Sequence, residues 1–269
     1  MVVVRNSAPY WLIIAALFSS WVDAGQRPRI ALIIDDLGNR ASLSEQAIRL
    51  PGAITYAILP HTPHASALAD LAHALGKEVI LHLPMQPLSG VSSGPGELTV
   101  HMTHQEFVRS VDQSLSSIPH VCGVNNHMGS LLTQHPGSMA WLMDVLADRE
   151  GFYFIDSRTT SKTVAARLAM ERGIPYARRD VFLDHELDVE EIAQQFQRGV
   201  ELAKKNGHAV IIGHPHPQTL EVLERELHRL VTQGVELVFA STLTTAADKT
   251  AIDQISSRRL SPWHVCLSP

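Results

Sequence analysis

Residues 29–38 read RIALIIDDLG: Arg29, an unbroken apolar run from Ile30 to Ile34, then Asp35-Asp36 and the turn-forming Leu37-Gly38. An isoleucine-rich run with no polar alternation fits a strand covered on both faces, as in parallel sheets. Two adjacent carboxylates close the run, where burial is costly unless a partner or a metal compensates. The same arrangement recurs downstream. Val79–Leu81 ends in His82, Val121–Val124 leads through Asn125-Asn126 to His127, and Phe152–Ile155 ends in Asp156. Val181–Leu183 ends in Asp184-His185, and Val210–Ile212 ends in Gly213-His214-Pro215-His216. Helical segments separate these runs, so the strands are expected to be parallel. A parallel β/α sheet or barrel gathers the carboxyl ends of its strands on one face, and that face carries the site.

The turn and cap signals divide residues 29–240 into seven or eight βα units. Strands are expected at Arg29–Asp35, Ile54–Leu59, Glu78–Leu83, Val121–Asn125 and Phe152–Asp156, then within Tyr176–Leu183, at His208–Gly213 and at Glu236–Ala240. Helices are expected near Ser42–Leu50, Ala65–Leu75, Pro136–Arg149, Thr163–Arg172, Val189–Lys205 and Gln218–Val231. One further helix runs to about Ile118 and opens with Thr103-His104-Gln105-Glu106, a capping box. The Pro/Gly/Ser-rich stretch Pro84–Val100 is long for a loop inside a compact domain, which marks it as a possible wall of the site.

A length of 269 residues with 45% hydrophobic and 18% charged residues suits one globular domain. Net charge is −5, and no basic run interleaved with aromatics appears, which argues against a nucleic-acid partner. No heptad seam implies a stable protein partner. Residues 1–24 differ from the rest. Arg5 precedes the apolar run Tyr10–Phe18, and Val22-Asp23-Ala24 supplies a small-x-small pattern before Gly25. Those are the parts of a secretory signal peptide, which places the body, residues 25–243, in the periplasm or outside the cell. The alternative is a retained membrane anchor. Residues 244–269 lack clear periodicity and read as an irregular tail. Cys122 and Cys266 are the two cysteines, and both a disulfide and two thiols stay open.

One Asp with two His from separate strand ends is the ligand type of hydrolytic zinc sites, where a metal polarises a carbonyl oxygen and acidifies water. Asp35-Asp36, His82, His127 and His214 are the candidates for such a set. The prolines around His214 and His216 stiffen the backbone that aims them, and His214 suits general acid catalysis. Asp156 is positioned to orient such a histidine, with Arg158 as its other possible partner. Asp184 is read as a ligand, as an acceptor behind a ligand, or as a partner of Arg178 or Arg179.

With Ile33-Ile34-Asp35-Asp36-Leu37-Gly38, the stretches Leu81–Pro87 (LHLPMQP), Gly123–Ser130 (GVNNHMGS), Asp156–Thr160 (DSRTT) and Gly213–Thr219 (GHPHPQT) resemble the divergent polysaccharide deacetylases, the YibQ-like family. That family is similar to the NodB-like carbohydrate esterases. The resemblance implies a single-domain α/β fold, a distorted (β/α) barrel of seven or eight parallel strands. It also implies a divalent metal, most often Zn²⁺, and removal of acetyl groups from N-acetylated sugars of a polysaccharide or peptidoglycan. Carried over by position, Asp35 is the base, Asp36 and His82 are ligands, His214 is the general acid, and Asp156 falls on a further acidic motif. A second ligand His of the parent group is replaced here by Gln86, and an Arg-rich motif by Asn125-Asn126-His127. His127 then completes a set with Asp36 and His82. Gln86, Asn126, Arg158, Asp184 and His216 are expected to face the substrate. The other reading is a catalytically inactive glycan-binding or envelope scaffold protein on the same fold.

Overall fold

The computed structural model describes residues 27–244, so the leader, Cys266 and almost all of the tail lie outside the described residues. In chain order the elements are β1 (Arg29–Leu37), α1 (Ala41–Ile48), β2 (Thr55–Ile58), α2 (Ala65–Ala74), β3 (Glu78–Met85) and α3 (His104–Ser116). There follow β4 (Val121–Met128), α4 (Pro136–Ala147), β5 (Tyr153–Asp156), α5 (Ala165–Glu171), β6 (Tyr176–Arg178) and β7 (Val181–Phe182). The chain continues with α6 (Val189–Asn206), β8 (His208–Gly213), α7 (Pro217–Leu230) and β9 (Glu236–Val238). Among the described residues no helix is long and apolar enough to cross a membrane.

Every strand pairing is parallel, in the order β6-β5-β4-β3-β2-β1-β8-β7, with β9 on the first residues of β1. The fold is the parallel α/β half-barrel of a single domain. Strand residues alternate between two cores, as the period of two demands. Ile30, Leu32 and Ile34 pack outward under the helices, while Ala31, Ile33, Ala57, Ile80, Val210 and Ile212 fill the interior. Ala240 and Leu243 close the interior near the amino ends of the strands. Glu78 ties that end together, accepting hydrogen bonds from Thr55 Oγ1 at 2.7 Å and Tyr153 Oη at 2.8 Å.

The strand expected within Tyr176–Leu183 is two strands. β6 pairs with β5, and β7 pairs with β8, at opposite ends of the sheet order. Only Arg179-Asp180 joins them. The Arg179 amide bonds to the Asp156 carbonyl on one side, and the Asp180 amide to the Val210 carbonyl on the other. The sheet's two edges are therefore within reach of two residues, and the chain itself closes the ring where no ladder does.

Two irregularities aim the site residues. Between Ile34/Tyr56 and Leu37/Ile58 the register of β1 gains a residue, and Asp36 takes a left-handed backbone (φ 62). Asn and Asp tolerate that conformation better than most residues. Gly38 follows (φ 124), where an added Cβ would lie 2.1 Å from Thr62 Oγ1. Between Val79/Val121 and Leu81/Val124 the strand β4 also gains a residue. Such a bulge shifts the side-chain phase by one. Cys122 faces the interior and Val124 the helices, so Asn125 and His127 turn inward beside His82.

Candidate active site

At the carboxyl ends of β1, β3 and β4, three ligand atoms converge. Asp36 Oδ1 lies 3.1 Å from His82 Nε2 and 2.9 Å from His127 Nδ1, and the two nitrogens are 3.0 Å apart. Neighbouring residues on a regular strand face opposite sides. The β1 bulge turns both toward the cluster, with Asp35 Oδ2 3.7 Å from His82 Nε2.

Asn125, absent from the expected site residues, organises this cluster. Its Nδ2 donates to Asp35 Oδ1 at 2.8 Å, so its Oδ1 faces His82 Nδ1 at 2.7 Å. An amide oxygen only accepts, so His82 carries a proton on Nδ1 and directs Nε2 at the cluster. The signal for Asn125 was present at the strand end, but without the bulge strand alternation turns Asn126 inward instead. Asn126 is in fact committed elsewhere. Its Nδ2 donates to the Met128 carbonyl, and its Oδ1 accepts the Ser157 amide.

The donor set suits a divalent cation. Tetrahedral zinc with bonds of about 2.0–2.1 Å separates its ligand atoms by roughly 3.3 Å, close to the spacing found here. Asp36 Oδ1 is buried and close to both imidazoles, yet receives an aligned hydrogen bond from neither. Burial raises the Asp36 carboxyl, but His127 and His82 outweigh it and hold the group far below the ordinary carboxylate range. Burial pulls His82 down, and the Asp35 and Asp36 carboxylates more than restore it. The cluster therefore attracts a positive charge. The described residues that could hold a metal include Asp36, His82 and His127 together, and also Asp184, His214 and His216.

A second unit stands beside the first. His214 Nδ1 lies 2.9 Å from Asp184 Oδ1, while Asp184 Oδ2 accepts the His214 amide and the Thr219 hydroxyl. The orienting carboxylate of His214 is thus Asp184, not Asp156. Three of its acceptor sites are used within the protein, which suits an orienting role behind His214. Burial disfavours the charged His214, but Asp184 outweighs it, with Asp35 and Asp36 adding, and pushes the imidazole up to about 9. His214 Nε2 points to the first cluster, 3.8 Å from Asp36 Oδ2. Burial raises the Asp35 carboxyl, and His82 and His214 offset that only in part. The result is a cationic imidazole and a carboxylate of raised proton affinity flanking one cluster.

The other expected residues fall as follows. His216 lines the same cavity of about 400 Å³ as Asp36, His127 and His214. Gln86 does not. Its Oε1 accepts the Val100 amide and its carbonyl accepts those of Leu131 and Leu132, so it secures the loop base. Asp156, the last residue of β5, is buried and accepts the Arg158 amide and the Thr163 hydroxyl. Arg158 reaches Asp156 through its backbone, and its guanidinium donates to the Arg179 carbonyl. The loop after β3 does wall the site, through Ser92–Pro95.

The sequence pattern of the divergent polysaccharide deacetylases matches residues 32–244. The chain belongs to that family. It is similar to the uncharacterized protein YibQ of Escherichia coli (strain K12), 40% identical over 239 residues, covering 89% of this chain and 73% of that one. Among solved structures, uncharacterized protein ATU2773 of Agrobacterium tumefaciens C58 superposes with TM-score 0.78 at 22% identity, covering 82% of this chain and 90% of that one. BA3943 of Bacillus anthracis, described as a CE4 family pseudoenzyme, has TM-score 0.51 at 12% identity, covering 81% of this chain and 66% of its own. In this family member the Asp36–His82–His127 cluster and the Asp184–His214 pair share one cavity mouth, at the strand ends where a parallel sheet places its chemistry.

Proposed function

We propose that the protein is an exported, metal-dependent hydrolase that removes acetyl groups from N-acetylated sugars of a polysaccharide or peptidoglycan. The observation that carries this reading is the adjacency of three ligand atoms, Asp35 and the Asp184–His214 pair in one site. Family membership supports the sugar substrate, and the apolar run Tyr10–Phe18 before Val22-Asp23-Ala24 supports export.

Asp36, His82 and His127 would hold the cation, for which zinc suits the nitrogen-rich set. Such an ion supplies Lewis acidity toward the amide carbonyl and lowers the pKa of water. Asp35, fixed by Asn125 and raised in proton affinity by burial, takes the proton from the attacking water. His214, kept cationic by Asp184, gives its proton to the nitrogen as the C–N bond breaks. Acetate and the free amine leave.

The test pairs metal analysis with acetate release from N-acetylated glycans. Wild type should hold about one zinc per chain, and Asp36→Ala and His82→Ala should lose it. Asp35→Asn should keep the metal while acetate release falls about 100-fold or more. Full activity in Asp35→Asn would remove its assigned role. The commitment of Gln86 to the loop base favours a second reading, a glycan-binding protein without turnover. Glycan binding by metal-loaded wild type with no acetate released would select it.

A further inference from the structure

Resting on that deacetylase reading, we propose that Phe182, braced by Arg179, is a positioning residue that holds the His214 imidazole at the angle from which it reaches the leaving nitrogen. The register of β7 on β8 sets the contact. Phe182 pairs with Ile212, which fills the interior, and the period of two carries Asp184 and His214 to that same side one step further. Phe182 is thus the diagonal neighbour of His214, a separation that an aromatic ring spans. The two rings meet edge to face, with centroids 5.4 Å apart and planes at 83°. Aromatic pairs favour this arrangement. One short segment therefore grips the imidazole twice, Asp184 by a hydrogen bond to Nδ1 and Phe182 by ring packing. Gly213 lets the segments draw together, since an added Cβ there would lie 3.1 Å from Leu183 Cδ1 and 3.3 Å from Asp184 Oδ2.

The hydrogen bond alone does not fix the ring. It holds one atom, and the outer torsion of a histidine has broad wells. The His214 side chain is 18% exposed, so packing does not enclose it on every side. Phe182 is itself half-buried and takes its support from Arg179, whose Cζ lies over the ring, 4.9 Å from its centroid. A ring face carries partial negative charge and attracts a guanidinium. Arg179 is tied down in turn. Its Nε donates to the Ser157 carbonyl at 2.6 Å and its Nη2 to the Arg158 carbonyl at 3.0 Å. A series of contacts therefore runs from the end of β5 through Arg179 and Phe182 to His214. Among the described residues, those lining the cavity include His214 but neither Phe182 nor Arg179, so both act through His214 and not on the sugar.

The experiment is proton NMR of the full chain, carrying isotope-labelled histidine and supplied with zinc, beside acetate release from N-acetylated glycans. The His214 Nδ1 proton, identified by its disappearance in His214→Gln, reports the hold on the ring through its exchange with water. Phe182→Leu keeps apolar bulk but loses the flat ring. It should speed that exchange several-fold and lower kcat about 10–100-fold with KM nearly unchanged, because a small misplacement of a reacting group is costly. Phe182→Tyr should restore both. Arg179→Met should show a milder form of the same loss, and it decides the matter if Phe182→Leu fails to fold. Exchange and kcat that stay at wild-type values in Phe182→Leu, or a loss that Phe182→Tyr does not restore, would overturn the role. The two readouts separate the two claims. Exchange that depends on Phe182 in a protein releasing no acetate keeps Phe182 as the brace of His214 and ends the deacetylase reading. Acetate release undiminished in Phe182→Leu does the reverse.

Discussion

Asn125 illustrates how one amide can govern a candidate metal centre that it does not enter. By accepting from His82 and donating to Asp35, it sets the tautomer of the proposed ligand and the direction of the proposed base at once. Asn125→Ala should lower zinc affinity about 10–100-fold with the fold intact, as losing such a partner behind a ligand commonly does. Competition with a fluorescent chelator measures this, and unchanged affinity would deny the role. The Asp184–His214 pair has a different signature. An imidazole raised from about 6.5 to about 9 stabilises the fold fully below pH 6.5 and loses that contribution as pH rises through 9. For Asp184 burial raises the carboxyl, but the His214 contacts outweigh it and lower it, so its share is lost as pH falls toward the acid range. In chelator, the stability difference between wild type and Asp184→Asn should be largest between about pH 4 and 6.5, on the order of 3 kcal/mol. It should shrink toward pH 9.5, and a difference flat with pH in urea unfolding would refute the charged pair.

At the scale of elements, the strand ends carried most of the message. Unbroken apolar runs closed by Asp or His were legible because burial on both faces suppresses alternation, so the closing polar residue stands out. The convergence of Asp36, His82 and His127, with His214 beside them, followed from that. What stayed hidden depends on backbone irregularity. A bulge has no strong residue code, and the one in β4 exchanges Asn126 for Asn125 as the inward residue. Asp156 and Asp184 likewise both end strands, and only the split of β6 from β7 puts Asp184 beside His214. Gly123 reports on the β4 bulge, since an added Cβ would lie 2.6 Å from the Tyr153 ring. Gly123→Ala should destabilise the protein by roughly 1–3 kcal/mol and displace His127, weakening zinc binding as well. Denaturant unfolding with metal titration checks both effects, and loss of neither would mean the ring yields freely.

For the whole molecule, a metal that binds only the folded chain adds stability by mass action. At zinc concentrations about 100 times the dissociation constant this is roughly 2.7 kcal/mol, so removing the ion should lower Tm by about 5–10 °C. Calorimetric melting with and without chelator tests it, with Asp36→Ala as the variant that should not respond. The junction at Arg179-Asp180 bears on what holds the site's geometry. The strands that carry Asp35, Asp36, His82, His127 and His214, β4-β3-β2-β1-β8, are consecutive in the sheet, and its ends β6 and β7 lie outside that run. A ring closed by a ladder everywhere widens only by breaking bonds between strands. In this one the joint is Arg179-Asp180, pinned to Asp156 and Ser157 on one side and to Val210 on the other, while the distances among Asp35, Asp36, His82, His127 and His214 are set by unbroken sheet.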